Sequence, residues 1–284
     1  MSRMAEHKQF KLAGVMGMPV VQSRSPIIHN HWLKHYGLPG AYGHFPVKIE
    51  NVETALRGLS ALGLAGCNIT QPHKLVAMKM MDWLHPMAVK IGAINCIVVQ
   101  PDGGLHGFNN DWYGYIQSLK DAQPDWRADA GPITVLGAGG AARAVLFGLV
   151  GEGAKEIRLL NRTRAKAEAL ADDFGGVVKV LDWEERHAAL EGCAMLVNTT
   201  NQGMYGQPPL DLRLDALPRA ALVSDLIYIP LETPLLEAAR LRGHLTVNGL
   251  GMLLNQAVPA FEAWFGVKPE ITSELRHAIL ATFK

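Results

Sequence analysis

The stretch "ITVLGAGGAARA", residues 133–144, decides the fold of this chain. Its first four residues, 133–136, are mostly apolar and predict a buried strand, and the glycine-rich turn that follows opens a helical segment. Gly137, Gly139 and Ala142 fill the pattern G-x-G-x-x-G/A, which lets backbone N–H groups approach a pyrophosphate at a helix N-terminus. Alone, the pattern also fits a tight strand–helix turn that binds no ligand. The residues at the end of the next strand distinguish between these two interpretations.

That next strand, predicted over 156–161, ends in a basic cluster. An NAD-binding unit normally has an acid here to hold the ribose hydroxyls, whereas this chain has Asn161, Arg162 and Thr163, with Arg164 and Lys166 beyond. An acid would repel a 2′-phosphate, but a guanidinium offers it a planar, charge-assisted fork. The alternative is a solvated basic helix start, which the helix dipole disfavours unless an anion is present. The cluster therefore predicts NADP as the cofactor.

Composition restricts the class of protein. The chain has 284 residues, 49% of them hydrophobic and 19% charged, which favours about two domains with sizeable cores. A net charge of +1 gives no field for nucleic acid or an acidic membrane, so we expect a small-molecule substrate, no nucleic acid and no membrane partner. The start lacks the apolar region of a signal peptide, and no apolar run is long enough to span a membrane. The three cysteines are far apart, which fits a reducing, cytoplasmic location.

Three histidines, His29, His31 and His35, lie close together in one predicted helix. A metal site is one interpretation, but no carboxylate or cysteine completes a ligand set there. A helix that merely carries histidines explains them better, so we expect no metal.

The first third of the chain alternates between strand-like and helix-like stretches. Strands are predicted over 11–17, 41–47, 64–70, 93–99 and 105–109, and helices over 25–37, 51–63 and from Pro72 through Leu84. Ser25 is the expected N-cap of the first helix and Gly37 its stop. The turn "PDGG" (101–104) predicts a hairpin, and the alternation predicts a mostly parallel sheet with function at the carboxyl ends of its strands.

A polar connector at 121–132 separates this series from a second α/β series. Its later strands are predicted over 194–200, 221–228 and 244–249, and a helical tail follows in which Pro259 should kink or split the first helix. The predicted fold class is α/β with two domains.

Several motifs follow one another along the chain: "GMPVVQSRSPIIHN" (17–30), "NITQPHK" (68–74), "IGAINC" (91–96), "GFNNDWYG" (107–114), "GAGGAARA" (137–144), "NRT" (161–163), "DLIYIPLETPLL" (225–236) and "NGLGMLLNQA" (248–257). Together they resemble one family, the shikimate dehydrogenases, which includes shikimate/quinate dehydrogenases. The resemblance covers nearly the whole chain in the family's order. It implies an N-terminal substrate domain, 1–110, completed by C-terminal helices at 249–284. A Rossmann-type NADP-binding domain, 111–248, would lie between them in sequence, with a cleft between the two domains.

The resemblance also implies roles for particular residues. Ser23 and Ser25 would hold the substrate carboxylate, with Tyr228 nearby, and Thr70, Asn95 and Gln256 would bind ring hydroxyls. Lys74 and Asp111 would be the catalytic pair. The cofactor would be bound by Gly137, Ala138, Gly139, Gly140, Ala141, Asn161, Arg162, Thr163 and Lys166, with Gly249 and Met252 facing the nicotinamide.

These roles agree with the chemistry of the residues. Hydride leaves a secondary alcohol only as its proton is removed, so a base is needed beside that carbon. Lys74 would lie in the first turn of a helix, where the dipole disfavours its charged form, and Asp111 would favour that form by attraction. The pair can share one proton, and which of the two is the formal base stays open. A surface salt bridge is the structural alternative for the same pair.

Two positions depart from the family pattern, because Asn110 and Trp112 flank Asp111 where the family usually has Thr and Gly. The expected activity is interconversion of shikimate and 3-dehydroshikimate in aromatic amino-acid biosynthesis, by a monomer or homodimer. Quinate or another ring acid is the alternative substrate. A non-catalytic ligand sensor on the same scaffold is a third hypothesis, which the presence of both Lys74 and Asp111 opposes. A folate-type dehydrogenase has a similar plan but lacks the SxSP and Gln256 motifs.

Overall fold

The structure is a computed structural model that describes residues 9–283. The chain divides into two compact units, one formed by residues 1–110 with 257–284 and the other by 111–256. The sequence assigned 249–284 to the first unit, whereas residues 249–256 belong to the second. The reason is close packing of two helices within that unit, which is described with the site.

The first unit contains a mixed six-stranded sheet. Its elements are β1 (Lys11–Gly17), α1 (Ser25–His35), β2 (Gly40–Pro46), α2 (Val52–Ala61), β3 (Gly66–Ile69), α3 (Lys74–Met78), β4 (Trp83–Leu84), α4 (Pro86–Ile91), β5 (Cys96–Val99) and β6 (Leu105–Phe108). The strand order is β2-β1-β3-β5-β6-β4. Strands β1, β2 and β3 are parallel, while β5 is antiparallel to both β3 and β6. The carboxyl ends of β1, β3 and β6 and the amino end of β5 therefore share one edge of the sheet.

The second unit contains a fully parallel six-stranded sheet. Its elements are α5 (Asp111–Ala122), β7 (Ile133–Leu136), α6 (Gly140–Gly151), β8 (Ile157–Leu160), α7 (Arg164–Ala171), β9 (Val178–Leu181), β10 (Met195–Asn198), β11 (Leu222–Asp225), α8 (Pro234–Leu241), β12 (Thr246–Val247) and α9 (Leu250–Asn255). The order β9-β8-β7-β10-β11-β12 is the 3-2-1-4-5-6 order of a dinucleotide-binding sheet. Two core clusters cover its two faces, which explains why strands such as β7 are buried throughout. The α/β fold class with two domains is confirmed.

Two C-terminal helices complete the first unit, α10 (Ala257–Phe265) and α11 (Ser273–Leu280). The helical tail is split at Gln256, three residues before Pro259. Pro259 lacks a backbone N–H, but it lies in the first turn of α10, where that N–H would have no intrahelical partner. Trp264 of α10 donates from Nε1 to the carbonyl of Ile97 at 2.9 Å, which ties this helix to β5.

Two local predictions were wrong. The helix expected from Pro72 to Leu84 ends at Met78, and the chain then enters β4, because Asp82 pairs with Leu105 through both its backbone and its carboxylate. Ser25 is the first residue of α1 and makes no capping bond from its side chain. Gly37 follows α1 with a φ of 58°, as a helix stop requires.

None of the helices described between residues 9 and 283 is long and apolar enough to cross a bilayer.

Candidate active site

The polar edge of the first sheet begins where β1 and β3 end. Thr70 follows β3 directly, and its backbone N–H donates to Met16 of β1 at 2.9 Å. Gly17 lies against the same residue, since a Cβ there would come within 2.4 Å of the Thr70 methyl. A side chain at position 17 would displace Thr70, so glycine is required for this close approach.

Two buried residues that sequence reasoning missed, Tyr42 and Asn68, link the predicted substrate residues. The Tyr42 hydroxyl donates to Oδ1 of Asn68 at 2.6 Å, and Nδ2 of Asn68 donates to the carbonyl of Asn95 at 3.0 Å. Burial raises the pKa of Tyr42 well above its usual value, and a side-chain interaction with Ser25 opposes that rise. Ser23 Oγ lies 3.2 Å from Ser25 Oγ and accepts from the Ser25 N–H at 3.3 Å. A polar residue inside the buried strand "GCNI" was the available signal for Asn68.

Asn95 lies at the amino end of β5, which the antiparallel pairing brings to the same edge. Its carbonyl accepts from the Ile69 N–H at 2.9 Å, and its Oδ1 accepts from the Asn110 N–H at 2.8 Å. The structure thus brings Ser23, Ser25, Thr70 and Asn95 together along one edge.

Lys74 is the first residue of α3 and is half-buried. The preceding residue, His73, is buried, and its Nε2 lies 2.6 Å from the carbonyl of Val47. The same residue's N–H donates to the Thr70 carbonyl at 3.0 Å. His73 therefore anchors the start of α3, and with it the position from which Lys74 extends. The helix position predicted for this lysine is correct.

Asp111 belongs to the second unit and is 9% exposed. It is the first residue of α5, three positions after β6 ends. A carboxylate at a helix N-terminus is favoured by the helix dipole, which explains why the helix begins there.

Helices α5 and α9 are in close contact through glycines. A Cβ at Gly114 of α5 would lie 2.7 Å from the Cβ of Gln256 and from the carbonyl of Met252, and one at Gly251 of α9 would lie 2.7 Å from the Cβ of Ser118. This packing places residues 249–256 in the second unit. It also fixes Gln256 and Met252 relative to the helix that begins with Asp111.

The glycine turn of the second unit has the shape of an anion cradle. Gly137 has a φ of 104°, and a Cβ there would meet the Thr199 hydroxyl at 2.5 Å, so only glycine fits. Gly139 and Gly140 lead into α6 with no heavy atom within 4 Å of an added Cβ. Together with Ala138 and Ala141, they leave open space at a helix N-terminus, where backbone N–H groups are available to a pyrophosphate.

The basic residues after β8 differ in whether they are already paired with an acid. Arg164 bonds Glu168 at 2.8 Å and Asp182 at 2.6 Å. Arg162 and Lys166 are exposed, and among residues 9–283 neither side chain has a hydrogen-bond or ion-pair partner. Asn161 Nδ2 donates to the carbonyl of Thr163 at 2.9 Å and so shapes the turn.

The loop after β11 carries Tyr228 and packs against Gly249. A Cβ at Gly249 would lie 1.9 Å from the Leu226 carbonyl oxygen, and its N–H donates to Ile227 at 3.0 Å. Both candidates are therefore held by one loop of the second unit.

Trp112, one of the two departures from the family pattern, packs within the second unit. Its indole lies edge-on to Phe147 of α6, with the ring centroids 5.5 Å apart. Asn110, the other, bonds Asn95 through its backbone and interacts with the buried thiol of Cys96, whose pKa burial raises.

No group of three or more His, Cys, Asp or Glu in residues 9–283 is arranged to hold a metal ion. His29 is fully buried among aromatic rings and stacks on Tyr42, with the two ring centroids 4.2 Å apart.

A parallel sheet of this order, with a glycine turn after its first strand, defines a dinucleotide-binding α/β protein. Three family models match in succession: shikimate dehydrogenase substrate binding domain over residues 15–97, shikimate / quinate 5-dehydrogenase over 122–205, and shikimate 5'-dehydrogenase C-terminal domain over 249–279. The chain belongs to the shikimate dehydrogenase family.

Similar proteins match over nearly the full length. The shikimate dehydrogenase (NADP(+)) of Paramagnetospirillum magneticum is 52% identical, with 95% of this chain and 98% of that protein covered. Quinate dehydrogenase from Corynebacterium glutamicum in complex with NAD has a TM-score of 0.90 at 28% identity, covering 96% of this chain and 100% of that one. Shikimate 5-dehydrogenase from Thermus thermophilus, in complex with NADP(H) and shikimate, has a TM-score of 0.85 at 34% identity, covering 95% of this chain and 99% of that one.

Proposed function

We propose that this protein is an NADP-dependent oxidoreductase that interconverts shikimate and 3-dehydroshikimate by hydride transfer. The observation that carries the proposal is the full-length similarity, at 52% identity, to a shikimate dehydrogenase (NADP(+)). The polar edge of the first unit and the glycine turn of the second supply the binding groups that this reaction needs.

The cofactor fits the groups available in the second unit. The turn formed by Gly137, Ala138, Gly139, Gly140 and Ala141 holds the pyrophosphate through backbone N–H groups. The 2′-phosphate is bound by the Arg162 guanidinium and Lys166, helped by Thr163 and Asn161. What supports this choice is that Arg162 and Lys166 are exposed and make no other polar contact in residues 9–283, whereas Arg164 is neutralised by two acids. Gly249 and Met252 face the nicotinamide.

The substrate is bound by hydroxyl and amide groups. Ser23 and Ser25 hold its carboxylate, because the two hydroxyls lie 3.2 Å apart and a carboxylate accepts hydrogen bonds without needing a full counter-charge. Thr70, Asn95 and Gln256 bind the ring hydroxyls, and Tyr228 lies nearby. The buried Tyr42 interacts with Ser25, and the buried Asn68 donates to the Asn95 carbonyl. These two residues also bond each other and so orient Ser25 and Asn95.

Lys74 and Asp111 handle the proton. Bound NADP would supply the acceptor for the hydride of the ring carbon. As that hydride leaves, the alcohol loses its proton to the pair, which can pass one proton between ammonium and carboxylate. Lys74 belongs to the first unit and Asp111 to the second.

The test is a steady-state assay of NADPH formation with shikimate and with quinate, each with NADP and with NAD. The proposal expects the highest kcat/KM with shikimate and NADP. The similarity to a quinate dehydrogenase bound to NAD makes the quinate–NAD combination the specific alternative. If that combination gave the higher kcat/KM, the substrate and cofactor assignments would both have to change.

The carboxylate assignment has its own test. Ser23→Ala or Ser25→Ala should raise the KM for shikimate much more than the KM for NADP. A fall in thermal stability with both KM values unchanged would show that the serines only shape the start of α1.

We also propose a cytoplasmic location and a monomer or homodimer. The location is supported by three buried free cysteines, Cys67, Cys96 and Cys193, which is typical of a reducing compartment. Sedimentation at several concentrations would discriminate monomer from dimer.

A further inference from the structure

A buried carboxylate lies at the carboxyl end of β11. Asp225 is 0% exposed. Its Oδ1 accepts hydrogen bonds from Asn198 Nδ2 and from the Ile227 N–H, each at 3.1 Å, and its Oδ2 accepts from the Thr233 hydroxyl at 2.7 Å. No basic side chain among residues 9–283 forms an ion pair with it.

The hydrogen-bond partners of Asp225 favour its ionised form, although its burial does not. The Thr233 oxygen already accepts from the Leu236 N–H, so its own hydrogen is free for the carboxylate. The Asn198 amide oxygen is engaged by the N–H and hydroxyl of Thr200, at 3.0 and 2.7 Å, and so turns its NH₂ towards Asp225. Burial raises the pKa of Asp225, and these hydrogen bonds oppose that rise. A protonated carboxyl would need an acceptor, and its three partners all donate. The fold therefore holds a negative charge with no protein cation beside it.

The network around this charge borders two of the cofactor candidates. Thr200 is held by the network, and its methyl would lie 3.1 Å from a Cβ on Gly137, the first glycine of the turn. On the other side Leu226, next to Asp225 in the chain, has its carbonyl against Gly249. Ligands of parallel sheets bind beyond the carboxyl ends of the strands, which is the end of β11 where Asp225 lies.

We propose that Asp225 provides the counter-charge for the oxidised nicotinamide, so that the protein favours NADP+ over NADPH. This inference rests on the proposed cofactor. The oxidised ring carries a positive charge that the reduced ring lacks, while the phosphates are common to both forms and cancel in the comparison. A charge interaction in a protein interior extends over several ångströms, so Asp225 need not touch the ring. It acts through its field and is not a catalytic residue.

The test measures the Kd of both cofactor forms by fluorescence titration, without turnover. Asp225→Asn keeps the shape and removes the charge, and we expect the ratio Kd(NADP+)/Kd(NADPH) to rise about three- to thirtyfold, mainly through weaker NADP+ binding. Thr233→Ala is the matched control, since it removes one hydrogen bond from the same network and keeps the charge. It should change both Kd values by a similar factor and leave the ratio unaltered.

The outcomes are separable. A ratio that stays constant in Asp225→Asn while both Kd values rise would mean a purely structural role and would overturn the inference. Asp225→Ser removes the same charge and replaces the Asn variant if circular dichroism shows that variant unfolded. A wild type that binds NADPH more tightly than NADP+ overturns it without any variant. A wild type that binds neither form contradicts the proposed function instead.

Discussion

Two arginines two positions apart, Arg162 and Arg164, have different surroundings. Arg164 is paired with Glu168 and Asp182, while Arg162 is exposed with no polar partner among residues 9–283. The composition of the segment predicted a basic site, but only the contacts show which cations are already neutralised. Glu168 is an i,i+4 neighbour of Arg164 on the same helix, whereas Asp182 is 18 residues away, so the pairing with Asp182 could not be read from the motif.

Arg162→Ala should therefore lower kcat/KM for NADP about ten- to a hundredfold, because a charge-assisted contact of this kind contributes about 1.5–3 kcal/mol. The use of NAD, which lacks the 2′-phosphate, should stay the same. Arg164→Ala is the control and should leave the NADP value nearly unchanged. Equal losses in the two variants would mean that the phosphate is bound elsewhere.

His29 is fully buried in the aromatic core of the first unit, where burial lowers its pKa from 6.5 to about 3. The folded protein keeps it neutral, whereas the unfolded chain binds a proton below pH about 6.5. Between pH about 6.5 and 3 this residue should reduce the free energy of unfolding by up to about 1.4 kcal/mol for each unit that the pH falls. Above pH about 6.5 both states are neutral, so it has no effect there.

The measurement is denaturant unfolding from pH 7 to about 5 for wild type and His29→Phe. The variant should lose the part of the pH slope that is due to His29. Phe261→Leu, at a ring that stacks on His29, should lower stability equally at each pH, so its curve stays parallel to that of the wild type. An unchanged slope in His29→Phe would show that the imidazole is charged or solvated in the folded state.

Helices α5 and α9 connect four site candidates, because α5 begins with Asp111 and α9, which contains Met252, lies between Gly249 and Gln256. Sequence periodicity predicted the C-terminal helix but not α5, since "GFNNDWYG" is too polar and glycine-rich to suggest a helix start. The polar run is explained by the turn from β6 into α5. The same reasoning also extended α3 too far, because nothing local in sequence shows that Asp82 pairs with Leu105.

Gly114→Ala should separate α5 from α9, since the new Cβ would lie 2.7 Å from Gln256 and from the Met252 carbonyl. Overpacking of this kind costs about 1–3 kcal/mol, which exceeds the gain of about 0.5–1 kcal/mol in helix propensity. We expect a lower Tm and a higher KM for shikimate.

Gly58→Ala in α2 is the matched control, because no heavy atom lies within 4 Å of its added Cβ. It should raise Tm slightly and leave the KM unchanged. If Gly114→Ala were as stable and active as Gly58→Ala, the close contact of α5 with α9 would not determine where Gln256 lies.

The molecule as a whole follows the predicted plan of two α/β units, and the reason is visible in β7 and β3. Both are short, fully buried strands followed by polar or glycine-rich turns, a local pattern that survives in the fold. The boundary at 249–256 differed because close helix packing, and not local sequence, decides which unit that segment joins. Tyr42, Asn68 and Asp225 were missed for the same reason, since their roles depend on partners distant in sequence.

A double-mutant cycle tests the proposal that Lys74 and Asp111 act as one proton-transfer couple. Lys74→Ala and Asp111→Asn should each lower kcat about 10²–10⁴-fold with shikimate and NADP saturating, while NADP binding persists. Lys79→Ala, at the other end of α3, is the control and should leave kcat near the wild-type value.

Because the two residues would share one proton, the double mutant should lose much less than the product of the two single losses. This cycle compares kcat for the wild type, the two single variants and the double variant under the same saturating conditions. We expect a strongly non-additive cycle. Independent, multiplicative losses, or a near-normal kcat in either single variant, would contradict it.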